Sequence, residues 1–291
     1  MDYMAMINLA IYTLIFALGL SVGSFLNVVI YRLPREGLSV AQPRRSFCPN
    51  CHAHIQWYDN IPVFSWLRLK ARCRSCQKPI GVRYPLVELA SGVLALLLLQ
   101  HFGLNLTFLL HFYFVMCLLA IALIDLELMV IPTHLIYPTV VLGLINALAE
   151  PQMNLSGFWL WNQIGPQLGD RLTALVGALA GLLLGWLSLK SISVAYKAVR
   201  GHEGMGDGDP PLLGMIGVFL GWRAVPLVIF WSTIIGLGSV LILIFMSKNS
   251  KKPAEGWGMK ELPFGPFLVL GALLYLFFGP SFLAWYWSFM M

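Results

Sequence analysis

The chain reads as an all-α, polytopic membrane protein of about eight transmembrane helices that carries one small polar insert. Three observations predict this. Hydrophobic residues fill 58% of the 291 positions while charged residues fill 11%; the mean hydropathy is +0.77; and apolar runs near the roughly 20 residues needed to cross a bilayer recur along the chain. Values of this kind exclude an ordinary soluble domain and a disordered chain alike.

Taken in order, the apolar runs fall near 5–31, 85–102, 104–126, 131–149, 171–197, 210–222, 223–246 and 264–289, with 210–222 the short one. The first run follows MDYMAMINLAIY, which has an acid where a signal peptide has a basic n-region, and no small-residue cleavage site follows, so it is expected to remain as a helix. These runs divide the chain into a first transmembrane helix at 1–32, an insert at 33–84, and a helical membrane domain at 85–291.

Charge orients the helices. Ten Lys or Arg lie between 32 and 83, and the positive-inside rule makes that insert cytoplasmic, the N-terminus external and every later loop alternate. The 150–170 loop, expected outside, contains no Lys or Arg, whereas Lys197, Arg200, Lys248, Lys251, Lys252 and Lys260 fall in loops expected inside. Only Arg171 and Arg223 fall outside. The net charge of +6 thus reads as orientation and attraction to an anionic lipid bilayer, with no nucleic acid needed to explain it.

Within the insert, Cys48-Pro-Asn-Cys51 and Cys73-Arg-Ser-Cys76 form two CxxC pairs separated by 21 residues. In a reducing compartment that spacing points to tetrahedral Zn2+ held by two knuckles rather than to disulfides. His52 and His54 offer alternative ligands. An insert of about 50 residues is near the size at which a hydrophobic core alone becomes marginal, so a structural metal is a natural staple. Cys117, inside an apolar run, reads as packing.

Two acids stand where a membrane chain should have none. Asp125 closes the run LLAIALID, and Asp209 ends the turn Gly206-Asp207-Gly208-Asp209 before another apolar run. A carboxylate at membrane depth costs at least roughly 2.5 kcal/mol, so it tends to survive where it lines a cavity or does chemistry. By alternation both acids reach the cytoplasmic side. Two carboxylates sharing a site cannot both ionise cheaply; one, charged, can take a proton from water while the other, protonated, polarises a scissile carbonyl. Amide hydrolysis without a metal follows. Glycines in the turn permit close backbone approach, and Pro210 and Pro211 suit the first turn of a helix. The plainer reading makes both acids solvated helix ends, with Asp209 an N-cap, although an acid at a helix C-terminus, as at Asp125, opposes the dipole. Glu127, Glu203 and Asp207 read as interfacial acids, and Asp207 competes with Asp209 for the inward position, with the place next to the helix start favouring Asp209.

The segment EGMGDGDPPLLGMIGVFLGW resembles the GxGD region of the type IV prepilin peptidases, and LIDLELMVIP resembles their first aspartate motif. GSFLNVVIYRLP at 23–34 and the CPNC…CRSC insert running into KPIGVRYPLVE also match, in the family's order, over most of residues 19–222. The resemblance implies an inner-membrane aspartic protease that removes the leader of type IV prepilins or type II secretion pseudopilins after a glycine at the cytoplasmic face. It also implies N-methylation of the new N-terminus with S-adenosylmethionine. Asp125 and Asp209 match the catalytic aspartates, with Gly206, Asp207 and Gly208 as substrate-contacting candidates. The chain departs from the family's usual pattern at Pro210 and Pro211, where many members carry an aromatic or apolar residue and a lysine, and at Asp207, where members often have an aromatic or aliphatic residue. That extra acid could hold a basic leader.

Methyl transfer is not legible in the residues themselves, since no GxGxxG turn follows a strand. Asn27 inside its apolar run, Arg32 at the inner end of that run and Glu88 after RYPLV are the polar groups that could orient the cofactor. The alternative is helix packing through Gly19, Gly23 and Ser24, with Arg32 snorkelling and Glu88 as its partner. A peptidase without methyl transfer, a proton-coupled transporter and a zinc-dependent scaffold are the competing functions. The acids sit at a boundary instead of the midplane and no inverted repeat is visible, which disfavours transport.

Overall fold

The computed structural model describes residues 3–43, 45–149, 169–202, 204–248 and 262–290. Glu203, the 150–168 part of the loop expected outside, and Lys251, Lys252 and Lys260 lie outside the described residues. The helices are α1 (Tyr3–Arg32), α2 (Phe64–Arg68), α3 (Arg83–Phe102), α4 (Leu106–Leu128), α5 (Thr133–Ala149), α6 (Asp170–Arg200), α7 (Asp209–Leu220), α8 (Ala224–Lys248) and α9 (Gly265–Met290). Apart from α2, they match the eight apolar runs to within a few residues. Six of them are long and apolar enough to cross a membrane, while α5 and α7 are shorter. The protein is therefore an all-α, multi-pass membrane protein. With 12 residues, α7 extends about 18 Å at 1.5 Å per residue, short of a hydrocarbon core of about 30 Å. Nearly all its side chains are buried, as an all-round apolar helix should be.

The chain forms two compact units, residues 1–116 and 117–291. In the first, α1 and α3 pack closely because small residues face each other. A methyl on Gly19 would stand 2.8 Å from the Gly92 Cα, and one on Gly23 would stand 2.7 Å from the Glu88 Cα. This is the small-residue packing expected of Gly19 and Gly23, and it lets backbones approach where hydrophobic burial gives no drive within lipid.

Arg32 ends α1, and here the structure corrects the expectation. The guanidinium does not snorkel; the residue is 4% exposed and donates to the backbone carbonyls of Ser39, Val40, Pro43 and Arg45. Nor is Glu88 its partner: Glu88 Oε2 accepts the Val63 N–H at 2.7 Å. Five rigid donors suit a nest of carbonyls left open by an irregular loop.

Among the described residues the insert has no strand. It holds a 3-10 turn at Trp57–Asp59, helix α2, and two isolated bridges, Phe47 to His54 and Arg72 to Pro79. Each bridge brackets one CxxC pair. The two turns repeat the same hydrogen bonds: Cys48 N–H to Ala53 O and His52 N–H to Cys48 O, then Cys73 N–H to Lys78 O and Gln77 N–H to Cys73 O. His52 and Gln77 occupy equivalent left-handed positions, with φ of 55° and 58°. Asp59 ties the pieces together, receiving Arg68 and Arg74 each at 2.7 Å.

In the second unit α7 packs against α6 through glycines. A methyl on Gly181 or Gly217 would overlap the backbone carbonyl of the other, and one on Gly185 would lie 2.5 Å from the Leu213 carbonyl oxygen. Gly143 of α5 gives room to Val218 and Phe219 in the same way. Helix α6 closes on Gly201 in the left-handed conformation, with Lys197 and Arg200 in its last turn, the favourable sign for a helix C-terminus.

Candidate active site

Asp125 lies in the last turn of α4, whose ladder ends when the Met129 N–H reaches the Asp125 carbonyl. Met129 then turns left-handed at φ 54°. Asp209 is the first residue of α7, preceded by Gly208, and no side chain caps that helix. Both acids are buried, at 5% and 4% exposure, and they lie within electrostatic range of each other. The solvated helix-end reading does not fit such burial.

Backbone amides and the aliphatic side chain of Ile131 stand beside the pair. Gly265, the first residue of α9, donates its N–H to Asp125 Oδ2 at 3.1 Å, so the positive end of a 26-residue helix faces this carboxylate. The Gly206 backbone hydrogen-bonds the Asp209 carboxylate, while Asp209 Oδ1 is buried with no partner among the described residues. A free buried carboxylate oxygen is an expensive feature unless something binds there. Ile131 lies beside both segments: a methyl on Gly208 would meet its Cβ at 2.5 Å, and one on Gly265 would meet its Cδ1 at 3.3 Å.

Asp207, two residues before Asp209, faces outward. Its side chain is 80% exposed and pairs with Lys190 of α6 at 3.3 Å. Glu127 is likewise exposed. Gly265 had escaped sequence reasoning; its signal is a glycine and proline opening the last helix, too common to single out alone.

The four cysteines meet. Cys48, Cys51, Cys73 and Cys76 place their Sγ atoms within 4.8 Å of one another and could hold a metal ion. All are free thiols. The amide of Cys76 and then that of Ser75 bring the Cys73 thiol down to about 7 against desolvation, whereas Cys51, despite the Ala53 amide, is pushed up to about 11 by desolvation and the neighbouring thiols, so without a metal the cluster favours the thiolate at Cys73 and not at Cys51. His52 and His54 are not in this cluster; His52 stacks on Phe47 instead. Cys117 is buried in α4.

Asn27, Arg32 and Glu88 line one cavity of about 410 Å³ in the first unit, which Cys48 and Cys73 also border. Asn27, 4% exposed, donates to the Tyr84 and Gly23 carbonyls, and its Oδ1 has no partner among the described residues.

Residues 17–102 match the bacterial peptidase A24 N-terminal domain, and residues 112–241 match the type IV leader peptidase family. Curated relatives carry the name prepilin leader peptidase/N-methyltransferase. One from Aeromonas hydrophila is 35% identical, with 94% of this chain and 93% of the relative covered. Another from Stutzerimonas stutzeri is 35% identical over 99% of this chain and 98% of the relative, and one from Pseudomonas aeruginosa is 35% identical over 96% and 94%. No solved structure matches. Two domain matches in order and relatives aligned along nearly the whole chain agree with the paired acids and the paired CxxC turns: this chain belongs to the type IV leader peptidase family.

Proposed function

We propose that the protein is an aspartic endopeptidase of the inner membrane that removes the leader from type IV prepilins or type II secretion pseudopilins at the cytoplasmic face. It then N-methylates the new N-terminus. The observation that carries the reading is the pair of buried carboxylates, Asp125 and Asp209, one of them with an unpartnered oxygen, in a chain of this family. The N-terminus is periplasmic, and the insert and the aspartates are cytoplasmic.

The ionised carboxylate of the pair takes a proton from water as the water oxygen attacks the scissile carbonyl carbon. The protonated carboxylate donates to the carbonyl oxygen and so stabilises the charge that develops there. Collapse of the tetrahedral species breaks the C–N bond, and a proton passes to the leaving amine. Gly265 N–H holds Asp125 in place, and the open Asp209 Oδ1 is the position at which the attacking water or the substrate can be bound. A helical peptide bond is covered by its neighbouring turn, so the substrate must be unwound at the cut, as a glycine there allows. Gly206, Asp207 and Gly208 border this point, and Asp207 is exposed enough to meet a basic leader residue.

The metal is zinc. A tetrahedral site with Zn–S bonds of about 2.3 Å has sulfurs about 3.8 Å apart, and Cys48 Sγ and Cys76 Sγ lie 3.9 Å apart. Four thiolates close the shell, so the ion is structural. S-adenosylmethionine supplies the methyl group when bound. The cavity bordered by Asn27, Arg32 and Glu88 fits it in size, since pockets for ligands of this class run from about 300 Å³ upward. Arg32 contributes there by holding the 39–45 loop.

The test is cleavage of a leader-bearing prepilin by membranes containing wild type, Asp125→Asn, Asp209→Asn or Asp207→Asn at matched expression. The first two variants should lose on the order of a hundredfold or more in rate, while the third still cuts. Wild-type rates in both of the first two would reject the aspartate mechanism.

A further inference from the structure

Glu88 is a carboxylate in the wrong company. It is 8% exposed, and its contacts are the Val63 N–H and the Ser24 hydroxyl. Among the described residues no Lys or Arg pairs with it. The cations that border the same cavity are otherwise committed or lie on the insert: Arg32 is held by four carbonyls, Arg74 by Asp59, and Lys78 is exposed. Burying a carboxylate without a counter-charge is costly. On the facing helix, Asn27 also borders this cavity; its amide group is spent on the Tyr84 and Gly23 carbonyls, and its buried Oδ1 has no partner among the described residues. The close approach of Gly23 to the Glu88 backbone brings these two positions together.

A wall that offers a carboxylate without a counter-charge and an unpartnered carbonyl oxygen is complementary to an organic cation. We propose that Glu88 and Asn27 form a cation subsite at the α1–α3 wall of this cavity, which receives the positively charged centre used in methyl transfer. This rests on the methyl-transfer reading above and deepens it. Two groups in that reaction have the required chemistry: the sulfonium of the methyl donor and the α-ammonium of the freshly cut substrate. A donor that has given up its methyl is a neutral thioether, so a subsite for the sulfonium would hold the donor and release the product. A subsite for the ammonium would instead capture the new N-terminus. Ser24 and Val63 orient Glu88 for either role.

The full-length protein in detergent or nanodiscs tests this by equilibrium binding. One pair of probes is S-adenosylmethionine and S-adenosylhomocysteine, which differ at sulfur by a methyl and a charge. The other is a short peptide with a free N-terminal phenylalanine and its N-acetylated form. The wild type should prefer the charged member of one pair by about tenfold or more, which is the scale of one well-placed charge. Glu88→Gln, which keeps an oxygen for the Val63 N–H, should bring that ratio to about one. Loss in the first pair identifies the donor's sulfonium, and loss in the second identifies the acceptor's ammonium. Bound metal per protein and the thermal transition check that the variant is folded; if it is not, Asn27→Ala should lower the same ratio with Glu88 in place. A wild type that methylates prepilin but shows no charge preference, or a preference that survives both substitutions, overturns the subsite and leaves the proposed function standing. A wild type that binds no probe and transfers no methyl overturns both.

Discussion

The amide of Gly265 reaches Asp125 Oδ2 from the first residue of α9, and only glycine leaves room for this. A Cβ there would stand 2.5 Å from the same oxygen and 3.2 Å from the carboxyl carbon. Gly265→Ala must therefore displace either the carboxylate or the helix start, and in the catalytic role proposed for Asp125 a misplacement of a fraction of an ångström to an ångström would cost on the order of tenfold to a hundredfold. We expect cleavage to fall by that factor through kcat with little change in KM, read by steady-state kinetics on a prepilin. An equal loss confined to KM would mean that Gly265 touches substrate instead. A second residue-scale expectation concerns Asp59, whose carboxyl is held below its ordinary 3.8 by Arg74 first and then by Arg68, against desolvation. A depressed folded-state value means stability that is present above about pH 4 and lost as the pH falls through the folded value. The stability difference between wild type and Asp59→Asn in the insert should be constant at neutral pH and shrink below about pH 4, as read by proteolysis of the insert. A difference that does not change with pH would make the arginine clasp irrelevant.

Helix α7 is the element on which Asp209 depends, and glycine contacts fix where it lies. Gly217→Ala would drive a methyl into the Gly181 carbonyl, whereas Gly238 of α8 has nothing within 4 Å of a Cβ. Overpacking costs about 1–3 kcal/mol, so Gly217→Ala should lower the thermal transition and cleavage together. Gly238→Ala, a helix-interior change in open space, should be neutral or stabilising by up to about 1 kcal/mol. Equal behaviour of the two variants in a melting experiment would mean that the glycine interface does not fix the position of α7. These elements were legible in the sequence because apolar runs and their breaks at Gly, Pro and charge set helix ends within a few residues. The CxxC turns were legible for a similar reason, since ligand spacing is local chemistry. Three things were not. Arg32 looked like a partner for Glu88 because opposite charges on facing segments suggest a pair, and nothing local reports that a loop offers it four carbonyls. The Gly265 contact with Asp125 spans 140 positions, beyond any periodicity. The division of labour in the GDGD turn also depends on three-dimensional placement: Asp207 meets Lys190 at the surface while Asp209 is buried.

At the scale of the whole molecule, orientation in the membrane decides whether the pieces can work together. Asp125 ends α4 and Asp209 begins α7, and the two helices between them return the chain to the same side, so whichever side holds one acid holds both. In the proposed topology the insert, between α1 and α3, is cytoplasmic as well. Ten Lys or Arg at 32–83, against none at 150–170, are the observation behind the proposed cytoplasmic assignment. In that orientation the cysteines would stay reduced and available to a metal, and a basic leader would lie on the side of the acids. Alkaline phosphatase is active only outside the inner membrane, so a fusion at position 70 should be silent and one at position 160 active, with a cytoplasmic fluorescent reporter giving the inverse pattern. A phosphatase signal at 70 would invert the molecule. The aspartates would then face the periplasm, where the leader of a prepilin is not presented, and the thiols would be exposed to oxidation. Such a result would reject cleavage at the cytoplasmic face even if Asp125 and Asp209 proved essential, because essential acids on the wrong side would require a different substrate.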